Sequence, residues 1–523
     1  MARESIGLLF IQELRSELRT RFKGKKLTAE ALTFFKFKPQ DTLDITEVAR
    51  YGWTSRTFSD PNNWDTKFRK TSQGIVHVVV LVENRETEHV EDGDELLDEV
   101  HPLENLRFER ALSSRRNSPS EGSKPREYAK TQADPDSAIY DGLRAPQERA
   151  PLTLSSPLPI FHPIFHNFIR NVNDPTLKPP PDFLQLVLDF MRDASKIRVT
   201  NQNCVEYVEK DGVTVAPCHV EFKRLSSEDG CDMTIQCCNS MRASLLDKTR
   251  KKLVLKCNCP TFMIAIGGAW MVVMGGAFTD RFITQKLTDM LWIAPNSTHD
   301  DLRIHKTAKV LFALKKALHE LKEFYIQLPT DQIPEYNTAE PHPRNFPYPA
   351  SYPKDGETVL FKALEKDEAQ CVTYLAKEKE SREEVVVKYV TTYGEDVHRF
   401  LADKGHAPAL RYCGPLPAST TQQVGVPFGN IAKYPETTDS TVALAEEMQM
   451  VVMDFAVGRK EATGDVRTQL EEILNLLHEA GYVFGDLRRQ NVMFKSSDGT
   501  PSNPSYHQTT TICLVRLTFK SID

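Results

Sequence analysis

Apolar positions fall into blocks of helical or strand spacing, and the gaps between those blocks divide the chain. The stretch Ser5–Lys26 carries Ile6, Leu9, Phe10, Leu14 and Leu18 on one face with Arg15, Arg19, Arg21 and Lys23 elsewhere, which predicts an amphipathic surface helix. Gly74–Val82 is β-branched and bounded by turn formers, so it predicts a buried strand. From Leu112 to Pro157 large apolar residues give way to Ser, Pro, Arg, Glu and Asp. Such a stretch buries too little surface to offset its ordering entropy, and a disordered linker is expected: a solvated spacer, with phosphorylation at its Ser-Pro sites as the alternative reading.

Periodicity resumes in a helix over Asp182–Ala194 and in strand-like Val213–Val215 and His219–Lys223. Phe262–Phe278 is the most apolar run. It falls short of the roughly 20 residues of a membrane span, and Gly267-Gly268 and Gly275-Gly276 divide it, so a buried β-hairpin is expected. Asp300–Leu328 follows as a helix with Leu302, Ala308, Leu311, Phe312, Leu318, Leu321 and Phe324 on its core side, and Pro329–Pro353 then reads as a Pro-rich separator. Beyond it the pattern predicts strands at Thr358–Ala363, Gln370–Ala376 and Glu384–Val390, a helix at Gly394–Lys404, a strand at Gln449–Met453 and a helix at Thr468–Ala480. Two further strands are expected, from Val492 to Phe494 and from Thr510 to Leu517.

The division that results is a 1–108 α/β module, a 109–157 disordered linker, a 158–328 α/β middle module, a 329–355 linker and a 356–523 C-terminal domain. The fold class is α/β and α+β multidomain, since one core rarely grows beyond roughly 250–300 residues. A net charge of -6 over 523 residues announces no nucleic-acid or membrane-surface binder. Ten cysteines without a secretory leader read as reduced thiols, which places the chain inside the cell, in cytoplasm or nucleus. Glu4, Glu13 and Glu17 argue against a mitochondrial leader, and neither Cys237-Cys238 nor Cys257-x-Cys259 has zinc-finger spacing.

The loop Gly485-Asp486-Leu487-Arg488-Arg489-Gln490-Asn491 sits between a predicted helix and a short apolar strand. A phosphoryl-transfer transition state spreads negative charge over phosphate oxygens, so a base, a fixed cation and a metal ligand must converge on it. Asp486, Arg488 and Asn491 supply those three types within one loop, which resembles the catalytic loop of protein kinases and of aminoglycoside-kinase-like phosphotransferases. Upstream, Val385-Val386-Val387-Lys388 ends a buried strand, Glu395 opens the next helix, and Asp454-Phe455 follows the strand at a hinge position. The order Lys388, Glu395, Asp454, Asp486, Asn491, with Tyr393-Gly394-Glu395-Asp396-Val397-His398, is similar to the fungal-type protein kinase domain of basidiomycetes.

That resemblance implies a kinase-like small lobe plus the start of a large lobe, binding ATP and Mg2+ and transferring phosphate to a Ser/Thr protein hydroxyl. It implies Asp486 and Arg488 as catalytic, Lys388, Glu395, Asp454 and Phe455 as ATP-binding with a Lys388–Glu395 ion pair, and Asn491 and Asp523 as metal ligands. No Gly-x-Gly-x-x-Gly lies between Gly356 and Lys388, Phe484 stands where kinases have His, and the chain stops at Asp523. The domain is therefore expected to be incomplete and inactive as written, with the apolar face of the Thr468–Ala480 helix lacking a partner. Two other readings stand beside it. One is a pseudokinase scaffold; the other is a nuclease in the middle module, because Glu221-x-Lys223 on a strand, followed by Gln236 and preceded by Asp211, resembles restriction-endonuclease-like folds.

Overall fold

The structure, a computed structural model, describes residues 108–112, 117–134, 138–142, 156–194, 202–210, 213–223, 230–247, 250–254, 256–294, 300–328, 341–366, 372–417, 448–456, 466–484, 492–496, 510–514 and 519–521. The predicted Ser5–Lys26 helix, the Gly74–Val82 strand, Asp211, Asp486, Arg488, Asn491 and Asp523 lie outside the described residues. Two compact units are present, one of residues 1–99 with 181–197 and one of residues 100–180 with 198–523.

In chain order the first group of elements is α1 (Pro119–Gly122), α2 (Pro125–Ala133), β1 (Ile139–Tyr140), α3 (Pro163–Asn173), α4 (Pro181–Ala194), β2 (Gln202–Lys210), β3 (Val213–Lys223), α5 (Met233–Leu245), α6 (Lys251–Val254), β4 (Thr261–Gly267), β5 (Trp270–Phe278), β6 (Phe282–Lys286), β7 (Leu291–Trp292) and α7 (Asp300–Gln327). Of these, α4 belongs to the first unit and the rest to the second. The strands form one sheet in the order β1-β6-β5-β4-β3-β2, with β7 also on β5. Pairs β3–β4 and β1–β6 are parallel, and α5 and α6 lie in the chain between β3 and β4.

The hairpin β4–β5 is the expected one, buried along nearly its whole length. Gly275 and Gly276 are needed where helix and turn residues press on β5: a Cβ on Gly275 would stand 2.7 Å from Phe165, and one on Gly276 would stand 2.1 Å from Met241. Among the described residues no helix is long and apolar enough to cross a membrane. Helix α7 closes on this sheet through the Tyr325 hydroxyl, which donates to the Pro260 carbonyl at 2.7 Å.

Some of the expected disordered linker is folded. Ser118 caps α1 by accepting from the Glu121 N–H, and Pro125 opens α2 with its preset φ. The buried Gln132 amide then donates to the Ile139 carbonyl and accepts its N–H, both at 2.7 Å, which holds β1 parallel to β6. Composition hid this because the pairing strand lies far along the chain, at Phe282.

The second sheet is built from β8 (Ser351–Lys354), β9 (Glu357–Lys366), β10 (Thr373–Glu378), β11 (Glu384–Val390), then α8 (Glu395–Asp403), β12 (Leu410–Pro415) and β13 (Gln449–Asp454), in the order β12-β13-β11-β10-β9-β8. All neighbours are antiparallel, and β13 is inserted between β11 and the edge strand β12, with Val387 opposite Val452. On β11 the period of two buries Val385, Val387 and Tyr389 and leaves Val386, Lys388 and Val390 half-buried on the other face. The buried face packs Tyr389 on Tyr374 and Tyr374 on Phe346, so residues 341–355 of the expected linker belong to the fold. Their aromatic residues outweigh their prolines, and the Tyr348 N–H bonds back to the Ile160 carbonyl at 2.8 Å.

Helix α9 (Val466–Glu479) does not present a bare apolar face. Ile473 and Leu477 pack with Val397, Leu401 and Ala407 of the α8 region, flanked by Phe400, Leu470, Leu474 and Tyr482. The expected orphan face is satisfied by α8, since both helices carry an apolar stripe. After it, β14 (Tyr482–Phe484) pairs antiparallel with β17 (Phe519–Ser521), and β15 (Val492–Ser496) with β16 (Thr510–Leu514). The chain is thus a mixed α/β multidomain protein.

Candidate functional site

Strand β11 delivers Lys388 to the half-buried face, and the turn into α8 brings Tyr393 under it: the ammonium stands 5.7 Å from the ring centroid, a cation–π distance. Tyr393 in turn meets His398 Nδ1 at 2.6 Å, while His398 Nε2 meets the Pro408 carbonyl at 2.7 Å. A carbonyl only accepts, so Nε2 carries the hydrogen; burial pushes the His398 pKa down, leaving Nδ1 to accept from the Tyr393 hydroxyl. The imidazole therefore fixes the tyrosine that carries the lysine.

Glu395, the acid expected to pair with Lys388, turns to its own helix instead. Its carboxylate accepts from Arg399 Nε at 2.9 Å and Nη2 at 2.8 Å. The i,i+4 spacing in the first turn of α8 favours that partner, and both side chains are substantially exposed. A pair of this kind is worth only about 0.3–0.5 kcal/mol, so it exchanges readily.

Asp454 is held by Arg411. A register shift between Leu410 and Tyr412 makes Arg411 the extra residue of β12, and its guanidinium reaches Asp454 at 2.6 Å, Glu378 at 2.6 Å and Glu383 at 2.7 Å. Glu378 also accepts from Tyr352 and Ser381. Burial opposes its charge, but these hydrogen bonds and Arg411 together hold its carboxyl below the ordinary value. Phe455 is exposed, and the backbone N–H groups of the two residues expected to bind ATP are spent on the protein: Asp454 donates to the Ala409 carbonyl and Phe455 to that of Glu384. An open cavity of about 600 Å³ lies beside this hub, lined by Lys354, Arg399, Arg411, Cys413 and Asp454 among others, without Lys388 or Phe455.

Sequence reasoning alone does not single out Arg411, Glu378, Tyr393 or His398 as a site. The Tyr-x-x-x-x-His spacing and the Glu395–Arg399 spacing are visible signals; the convergence of three acids on one bulged arginine is not.

In the middle sheet β3 places His219, Glu221 and Lys223 on one face at alternate positions, and all three are buried. Helix α5 covers Glu221, and Gln236 Nε2 donates to its carboxylate. Lys223 Nζ reaches the Cys231 carbonyl at 3.5 Å. Burial raises the Glu221 pKa to about 7 against the opposing charge of Lys223, and lowers that of His219 to about 3. Neither ring nitrogen of His219 has a hydrogen-bond partner among the described residues. The register neighbours of Glu221 are Asn203 on β2 and Ala265 on β4, and no group of three His, Cys, Asp or Glu suited to a metal occurs among the described residues. One carboxylate and one amide do not make a divalent-ion site.

Comparison with protein-family models, curated proteins and solved structures finds no match to this chain.

Proposed function

We propose that residues 356–523 form a protein-kinase-like module, and that it binds a nucleoside triphosphate through Lys388. The observation that carries the reading is the arrangement around β11: a central strand bearing a half-buried lysine leads directly into α8 and returns through edge strand β12 to β13. Bound ATP would supply the phosphoryl group. Lys388 would offer the phosphates a cation, and Tyr393, oriented by His398, lies under that ammonium on the half-buried face of the sheet. The described state favours binding over transfer, because Glu395 is engaged by Arg399 and Asp454 by Arg411. Asn491 and Asp523, the expected magnesium ligands, lie outside the described residues. On this reading the module acts as a pseudokinase-type scaffold, with a protein as its partner.

Titration of the full chain with a fluorescent ATP analogue tests the reading. Lys388→Met is expected to weaken binding about 10- to 100-fold, the worth of a charge-assisted phosphate contact. Equal affinity in both proteins would overturn it. Magnesium-dependent ATP turnover lost in Asp486→Ala would replace the scaffold reading with an active protein kinase.

A nuclease in the middle module is the second reading, favoured by Gln236 on α5 donating to Glu221 on β3 beside a parallel β4. It requires a further carboxylate, for which Asp211 is the candidate. Plasmid cleavage with Mg2+ or Mn2+, abolished by Glu221→Ala, is the outcome it needs; no cleavage by the native chain removes it.

A further inference from the structure

The turn between α6 and β4 carries Cys257 and Cys259, whose sulfurs stand 4.0 Å apart. The Cys259 N–H donates to the Cys257 sulfur at 3.4 Å, and the Cys259 thiol lies 3.6 Å from the Cys257 carbonyl. Cys259 adopts φ 49, a left-handed conformation uncommon for a residue with a Cβ, and this is what folds the two side chains onto one side.

The turn is pinned from several directions. Asn258 Nδ2 donates to the Phe161 carbonyl, the Phe278 N–H donates to the Asn258 carbonyl, and the Tyr325 hydroxyl donates to Pro260, each at 2.7 Å. A disulfide needs sulfurs about 2 Å apart, so oxidation has to draw the two side chains together across the remaining gap.

We propose that Cys257 and Cys259 are a reversible dithiol–disulfide pair, oxidised by a hydroperoxide with Cys257 as the attacking sulfur. The electrostatics agree with that division of roles. The neighbouring Cys259 side chain and N–H, against burial, hold the Cys257 pKa below its ordinary value, helped by Arg344 and Lys256; burial and the neighbouring sulfur push Cys259 well up. Both residues are buried, Cys257 at 8% exposure and Cys259 at 0%, so Cys257 is the one nearer the surface.

The Cys257 thiolate attacks one peroxide oxygen and the O–O bond breaks, which gives a sulfenic acid and a hydroxide that leaves as water. Cys259 sulfur then attacks Cys257 sulfur, the S–O bond breaks, and the second hydroxide departs with the Cys259 proton as water. Two thiols are oxidised to one disulfide, and one hydrogen peroxide is reduced to two waters.

Trypsin cuts after Lys256 and next after Arg281, so both sulfurs fall on one peptide that holds no other cysteine. The test exposes the reduced full chain to hydrogen peroxide, alkylates it under denaturing conditions and weighs that peptide. The expected result is a peptide that carries neither alkyl group and is two hydrogens lighter than its free dithiol form, with double alkylation restored when dithiothreitol is added before the alkylating agent. Dimedone should label Cys257 in Cys259→Ser and leave Cys259 unlabelled in Cys257→Ser. Full alkylation of the native peptide at peroxide levels that oxidise the other cysteines would overturn the proposal without recourse to either variant, as would dimedone labelling of Cys259.

Discussion

Replacing Glu221 by Gln should change the pH dependence of stability more than stability itself at low pH. The carboxyl is buried under α5 and its pKa rises from 4.5 to about 7 on folding. Between those values the folded state holds a proton that the unfolded state has lost, so stability falls as pH rises from 4.5 to 7 and is level above. Each pKa unit is worth about 1.4 kcal/mol, which makes the whole effect about 3 kcal/mol. The glutamine keeps an oxygen for the Gln236 donor and does not titrate. Urea unfolding of both proteins from pH 4.5 to 8 measures it, with tryptophan emission as the probe because Trp270 and Trp292 lie on the same sheet. The wild-type advantage over the variant should shrink by about 3 kcal/mol across that range. Parallel profiles would show that Glu221 is as well solvated as in the unfolded chain and would end the argument.

Arg411→Met should cost about 3–5 kcal/mol, because Glu378 keeps a buried carboxylate after its cation is gone; thermal unfolding within about 1 °C of wild type would contradict the hub. Leu477→Ala removes a fully buried side chain between α8 and α9 and should cost about 2–5 kcal/mol by urea titration, whereas an exposed face would give almost nothing. Gly275→Ala places a Cβ 2.7 Å from Phe165 and 2.8 Å from Leu158, and a loss of about 1–3 kcal/mol is expected in the same assay.

Elements whose signal is local were legible in the sequence. Glu384–Val390 was bounded correctly as a strand by its β-branched run, and the β4–β5 hairpin followed from two glycine pairs. What escaped was set by distant partners. Tyr140 is covered by Arg281, 4.5 Å from its ring, and Ile139 is bonded by Gln132, so a Ser- and Pro-rich stretch became structure through contacts that no window of composition contains. The candidate residues divided in the same way: the place of Lys388 on a strand was legible, but the partners of Glu395 and Asp454 were decided by helix spacing and by a bulge.

The bulge at Arg411 has a consequence for how the second sheet meets other chains. An edge strand normally offers a row of unpaired N–H and C=O groups to any extended segment that arrives. Here β12 and β8, the outermost strands, turn toward each other: the rings of Tyr352 and Tyr412 lie 6.2 Å apart, and Tyr352 and Arg411 share Glu378. A foreign strand seeking β12 would have to push these aromatic rings aside and unseat a guanidinium held by three carboxylates. The sheet carries its own guard against templated aggregation.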